Sequence, residues 1–176
     1  MKAKNTGRLA LAGVLTALAV VFLLFTISPL ATVGLAALAG VCGIPVVVEL
    51  GRKAGLIHFA AAALLAWFLV PTIEGKGMYI AFFGWYTVFK AWIESKHLPR
   101  IGEWAAKCGV FAVALVAYGA VWVFLLDMPL PVWSWATPLI AVGLCGVFAV
   151  YDFGLTQLIG AYFGRIRPKI GNLFRF

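Results

Sequence analysis

Charged residues are scarce in this chain. Only 11% of its 176 residues are Asp, Glu, Lys or Arg, whereas 64% are apolar or aromatic. Soluble globular chains average about 25% charged and about 45–50% apolar residues, and a soluble domain of this size leaves roughly a third of its unfolded surface in water. The composition therefore excludes a water-soluble enzyme and a disordered linker, and it predicts a membrane protein.

Groups that carry chemistry are also few. The sequence has two histidines and six acidic residues, with no HExxH zinc motif, no GxSxG nucleophile motif and no Walker A phosphate loop. Cys42, Cys108 and Cys145 stand singly inside apolar runs, as small apolar residues do, and form no CxxC pair. We therefore expect no enzyme, no metal and no cofactor. Active transport would need energy from a partner or an ion gradient.

Long apolar runs make up most of the sequence. A membrane-spanning helix takes about 20 residues, and six runs approach or exceed that length. They cover about residues 9–28, 31–49, 54–70, 77–93, 105–126 and 136–163, and a basic tail follows at 164–176. The short connections leave no room for a separate soluble domain. The sequence predicts one all-α polytopic domain, residues 1–176, with six transmembrane helices.

The net charge of +8 serves as a topology signal. The basic residues cluster between the apolar runs, without an aromatic–basic groove, so we expect no nucleic acid. With six spans, 13 of the 14 Lys and Arg residues fall on one side, and Lys76 stands alone on the other. The positive-inside rule then predicts a multi-pass protein of the cell membrane (inner or plasma membrane) with both termini in the cytoplasm.

Ionisable residues inside spans are costly and therefore informative. Asp152 falls near the middle of the sixth run, and Lys90 falls at a similar depth in the fourth, which suggests that the two pair across a helix interface. His58, Glu94 and Gln157 lie in the same half and could extend this buried polar network. Two interpretations stay open: a structural lock, or a proton or cation relay.

The opposite end of the predicted bundle is rich in aromatic and acidic residues, and five of them are candidates for a ligand mouth. They are Glu74, Tyr79, Asp127, Trp133 and Trp135. Aromatic faces beside two carboxylates could hold a small molecule. The alternative is an interfacial aromatic belt, which membrane proteins of any function carry.

Small residues recur four apart in several runs, where they allow close helix approach in lipid. They either pack within the chain or dock another membrane protein. The pairs are Gly13/Ala17, Ala36/Gly40, Ala39/Gly43 and Gly160/Gly164.

The pattern resembles the substrate-binding S components of energy-coupling factor (ECF) transporters. The opening stretch RLALAGVLTALAVV (residues 8–21), with Gly13 and Ala17 spaced as a small-residue face, is similar to their first helix. The stretch Gly40–Pro71 resembles their second and third helices: a Pro-containing helix, a short Gly/Lys/Arg turn and an Ala-rich helix that ends at a proline.

The resemblance implies a six-helix binding subunit that captures a vitamin-like micronutrient at its outer face. It would dock through Gly13 and Ala17 onto a membrane T component that carries two ABC-type ATPases, and the outer-end residues named above would line the ligand mouth. Two other functions stay open. One is a structural or regulatory subunit of another membrane complex; the other is a small ion- or proton-coupled transporter that uses Lys90 and Asp152.

Overall fold

The chain is all-helical wherever the structure, a computed structural model, describes it. The described residues are 2–27, 31–96, 98–124 and 137–168, and none of them forms a strand. Eight α-helices follow one another in these ranges: α1 Lys2–Leu24, α2 Thr32–Val41, α3 Gly43–Leu50, α4 Arg52–Leu69, α5 Ile73–Met78, α6 Gly84–Glu94, α7 Arg100–Phe124 and α8 Thr137–Ala161. The all-α prediction is confirmed for this part of the chain.

Short irregular turns extend or join several of these helices. A 3₁₀ turn, Phe25–Ile27, follows α1, and π-helical turns occupy Tyr79–Phe83 between α5 and α6 and Tyr162–Ile166 after α8. The residues from Ile73 to Glu94 therefore form one continuous helical stretch, which we call the central helix. Gly51 separates α3 from α4 with a φ of 88°, a left-handed conformation that glycine adopts without strain.

Five helical segments are long and apolar enough to cross a membrane, which makes the chain compatible with a membrane protein. They are Thr6–Ile27, Thr32–Leu50, Arg52–Leu69, Arg100–Val121 and Val142–Arg165. The remaining predicted run, 77–93, lies within the central helix, which is not among the five.

The central helix differs from the other five segments because it is enclosed by them. Tyr79, Tyr86 and Lys90 are fully buried along its length. By contrast, the surrounding helices expose large apolar side chains such as Phe68 on α4, 78% exposed, and Ile101 on α7, 86% exposed. The central helix therefore faces protein on most sides, whereas the surrounding helices leave apolar faces open.

Aromatic rings join the central helix to α7 and α8. Phe82 lies edge-on to Phe111 of α7 and to Phe148 of α8, with ring centroids 5.2 and 5.9 Å apart. Phe111 and Phe148 stack on each other at 4.6 Å. Such pairs add to the stability that burial of the rings already provides, and they hold the three helices close together beside the charged residues described below.

Two glycines let α2 and α3 approach the central helix. A Cβ on Gly40 would overlap the backbone carbonyl of Phe83 and lie 2.9 Å from the Tyr151 hydroxyl. A Cβ on Gly43 would lie 2.9 Å from the Thr87 hydroxyl oxygen. Ala36, Ala39, Gly40 and Gly43 are all buried, so the small residues of this segment are used for packing within the chain.

We predict that Gly40→Ala lowers stability by about 1–3 kcal/mol, because backbone of the central helix must move to admit the methyl group. The matched control is Gly34→Ala on the same helix, where a Cβ would meet nothing within 4 Å. Thermal unfolding in detergent measures both variants. Equal melting temperatures for the two would contradict the close contact.

Candidate functional site

Three buried ionic side chains from three helices meet beneath the aromatic rings. Lys90 of the central helix lies 2.6 Å from Asp152 Oδ1 of α8, and Lys107 of α7 lies 3.2 Å from Asp152 Oδ2. The exposed fraction is 0% for Lys90, 3% for Lys107 and 4% for Asp152. One carboxylate thus bridges two ammonium groups, and we call these three residues the charge cluster.

Two glutamates border the charge cluster on its more exposed side. Glu94 Oε1 lies 3.0 Å from Lys90 Nζ and 3.4 Å from Lys107 Nζ, while Glu103 Oε1 lies 2.6 Å from Lys107 Nζ. The side chains of Glu94 and Glu103 are 38% and 28% exposed. The charge cluster carries a net charge of +1. Together with Glu94 and Glu103, the five side chains carry a net charge of −1.

Helix periodicity explains how these partners meet. Lys90 and Glu94 are four residues apart on one helix, and Glu103 and Lys107 are four apart on the next, so each helix supplies its own ion pair on one face. Asp152 then accepts from both lysines and from the Tyr86 hydroxyl, at 2.7 Å. An ion taken out of water loses several kcal/mol of hydration; these contacts offset that loss for Asp152.

The structure brings some of the predicted network together and separates the rest. Lys90 and Asp152 form the ion pair that their matching depths suggested, and Glu94 joins it. His58 lies elsewhere: its Nδ1 is 2.8 Å from the Thr16 hydroxyl of α1, and both residues are buried. Gln157 is exposed on α8.

Sequence reasoning missed Lys107, Glu103 and Tyr86. The fifth apolar run predicts a helix that begins near residue 105, whereas α7 begins at Arg100, so Glu103 and Lys107 lie together on its first turns. The spacing of Lys107 four residues after Glu103 was the available signal. Tyr86 offered no such signal, since a tyrosine in an apolar run is equally typical of a core.

The predicted ligand mouth is described only in part. Tyr79 is fully buried, with its ring 6.0 Å from that of Phe59, and its hydroxyl has no hydrogen-bond partner in the described part of the chain. Glu74 is exposed at the start of α5. The other three candidates, Asp127, Trp133 and Trp135, lie outside the described residues.

The small-residue pair of α1 is free within the described chain. Gly13 and Ala17 are both exposed, and a Cβ on Gly13 would meet nothing within 4 Å. Exposed Leu9 and Val14 lie beside them, 76% and 66% exposed. This face therefore differs from the glycines of α2 and α3, which are in close contact with the central helix. Gly160 is likewise exposed and open.

The described residues offer no group of side chains suited to bind a metal ion. Among the residues described, no three His, Cys, Asp or Glu side chains come together in a way that could hold a metal ion. Asp152 and the two bordering glutamates face lysines, whose ammonium groups repel cations. What the cluster can do is fix three helices in register and hold charge in a low-dielectric interior.

Comparisons of the chain with family models, with curated proteins and with solved structures gave no match.

We predict strong coupling between Lys90 and Asp152. Asp152→Asn should cost about 3–5 kcal/mol, because it removes the one buried carboxylate of the charge cluster and leaves both lysines only partly exposed glutamates as partners. The double variant Lys90→Met/Asp152→Leu should lose clearly less stability than the two single variants lose in sum. A double-mutant cycle on detergent-solubilised protein measures the coupling, and exposed Lys96→Met is the control for loss of a lysine.

Single effects that add within about 0.5 kcal/mol would mean that the two side chains do not interact.

Proposed function

We propose that this chain is a membrane-embedded substrate-binding subunit for uptake of a small, vitamin-like micronutrient. It works with a separate energising module, which by resemblance is a membrane T component with two ABC-type ATPases. The observation that carries this proposal is the free face of α1. Gly13 and Ala17 are exposed there, whereas the small residues spaced in the same way on α2 and α3 are buried in contacts within the chain.

A free small-residue face suits a subunit better than a protein that works alone. In lipid the hydrophobic effect does not drive helices together, so close approach through small residues takes its place. Gly13 adjoins the exposed side chains of Leu9 and Val14, which offer ridges for a neighbouring helix to pack against. The partner on this face would be another transmembrane helix.

The proposal includes six spans, with the central helix as the fourth. Its 22 residues from Ile73 to Glu94 would extend about 33 Å at 1.5 Å per residue, enough to cross a hydrocarbon core of about 30 Å. Glu74 and Lys76 lie near its first end and Glu94 at its last, where side chains reach the interface. Lys90, inside it, is paired with Asp152.

Six spans also give the basic residues a consistent arrangement. Lys76 alone would then face outward, and the other basic residues would face the cytoplasm with both termini. The ligand mouth would lie at the outer end, formed by Glu74 and Tyr79 with Asp127, Trp133 and Trp135.

A second candidate function is a small ion- or proton-coupled transporter. One observation favours it: the carboxylate of Asp152, buried, connects through Lys90 and Lys107 to the partly exposed carboxylate of Glu94. A chain of this kind could pass a proton between the interior and the surface. Such a transporter would move its substrate without any ATPase.

We predict that Gly13→Leu and Ala17→Leu prevent co-purification with a membrane partner, because the leucine side chain separates the helix backbones. The protein itself should fold normally, since Gly13 and Ala17 are exposed and a Cβ on Gly13 would meet nothing within 4 Å in the described part of the chain. The measurement is affinity purification from native membranes with identification of an ATPase pair and its membrane subunit. Gly109→Leu on α7, equally open, is the control.

Partners retained in both α1 variants, at the level of the control, would reject this face as the docking surface.

We also predict opposite sidedness for the two ends of the central helix. In a background with exposed Cys108 and Cys145 replaced by alanine, Ile73→Cys should react with a membrane-impermeant maleimide in intact cells. Lys96→Cys should react only after the membrane is opened. Reaction of both from the same side would leave five spans or fewer.

A further inference from the structure

A cavity of about 380 Å³ opens beside the charge cluster, on the side of α3. Its walls come from α3, α6 and α8, and the turn between α3 and α4 forms part of its edge through Gly51 and Arg52. Small-molecule sites in proteins begin at about 300 Å³, so the cavity is large enough for a small ligand. It lies at the end of the bundle that carries Ser95 and Phe163, away from the proposed ligand mouth at Glu74.

One edge of the cavity is suited to an anion. The guanidinium of Arg52 donates to Ser95 Oγ at 3.4 Å, and no carboxylate pairs with it among the described residues. Arg52 is also the first residue of α4, an 18-residue helix whose first turn has no acidic residue and no side-chain cap. The free backbone N–H groups of such a helix start attract negative charge, and guanidinium binds carboxylate or phosphate in a forked geometry.

Further inside, the cavity has polar groups of its own. Thr87 lines it and is 6% exposed, and its hydroxyl has no hydrogen-bond partner in the described structure. Lys90 and Glu94 also line it, and they bind each other at 3.0 Å. Counted with Arg52, the lining carries two positive charges and one negative charge.

The rest of the wall is apolar. It consists of Ile44, Val47 and Val48 of α3, Leu155 and Ile159 of α8, and Phe163. An anion that was polar throughout would leave these side chains in contact with polar atoms. A ligand with an apolar body and one charged group would match both parts of the lining.

We propose that this cavity binds an amphipathic anion, with a carboxylate or phosphate head at Arg52 and Ser95 and an apolar chain between α3 and α8. The head could belong to a free single-chain acid from solution or to an anionic phospholipid of the surrounding leaflet. Both present the same chemistry to Arg52. This site is separate from the proposed ligand mouth and does not depend on the uptake function.

The test uses the full chain in phosphatidylcholine nanodiscs, with a diazirine analogue of dodecanoate as the photo-crosslinking probe. We expect labelling of the α3 and α8 peptides that contain Ile44, Val48 and Ile159. Unlabelled dodecanoate should compete, and dodecylamine, which carries the opposite charge, should not. In a second arm, nanodiscs with added phosphatidylglycerol show whether a phospholipid also competes, which identifies the membrane as a source of the ligand.

Two variants and a control locate the site. Arg52→Gln should reduce labelling on the order of tenfold, because a hydrogen bond to a charged group is lost, and Ala91→Phe should abolish it by filling the cavity. Lys53→Gln removes the same charge one residue further on and should label as the original chain does, since Lys53 is exposed and lies outside the cavity lining. Labelling that survives Ala91→Phe, or that dodecylamine blocks as well as dodecanoate does, would overturn the proposal.

Discussion

Asp152 is the residue on which the arrangement of α6, α7 and α8 depends. A lysine ammonium buried in protein without a counter-ion is costly, and Lys90 and Lys107 are both buried. Both lysines bind the buried carboxylate of Asp152, one on each oxygen, and both also reach the partly exposed carboxylate of Glu94. Removal of the Asp152 carboxylate would leave the two lysines with only the partly exposed Glu94 and Glu103 as counter-ions, and the ion pairs that join α8 to α6 and α7 would be lost.

The surrounding packing follows from the same constraint. Because Lys90 must lie inside, the central helix is enclosed by other helices, and aromatic rings fill the space above the charges, with Phe82 in contact with rings from α7 and α8. Gly40 and Gly43 then let α2 and α3 close the remaining side. The helices around the centre are left to expose apolar side chains, and the Gly13 face of α1 is left open. The open small-residue face of α1 is the feature from which we argue a binding subunit.

Composition and spacing predicted much of this arrangement. The scarcity of charge indicated apolar helices, and the matching depths of Lys90 and Asp152 suggested their contact, because a buried charge in an apolar run needs a partner. The sequence could not show that α7 begins at Arg100, since a polar stretch at a helix start looks like a connection, and Lys107, near the start of the predicted run 105–126, is not among the predicted network residues. His58 was grouped with the cluster by depth alone, but depth does not give the helix face, and its ring points to Thr16 instead.

Solid-state NMR in lipid vesicles tests the shared carboxylate most directly. The sequence contains only two aspartates, Asp127 and Asp152, so side-chain ¹³C labelling of aspartate gives two carboxyl signals, and ¹⁵N labelling of lysine Nζ reports which of them lies against a lysine. The account predicts strong ¹⁵N–¹³C dipolar dephasing of the Asp152 carboxyl, which weakens in Lys90→Met and is unchanged in Lys96→Met. An Asp152 carboxyl that shows no dephasing from any lysine nitrogen would contradict it.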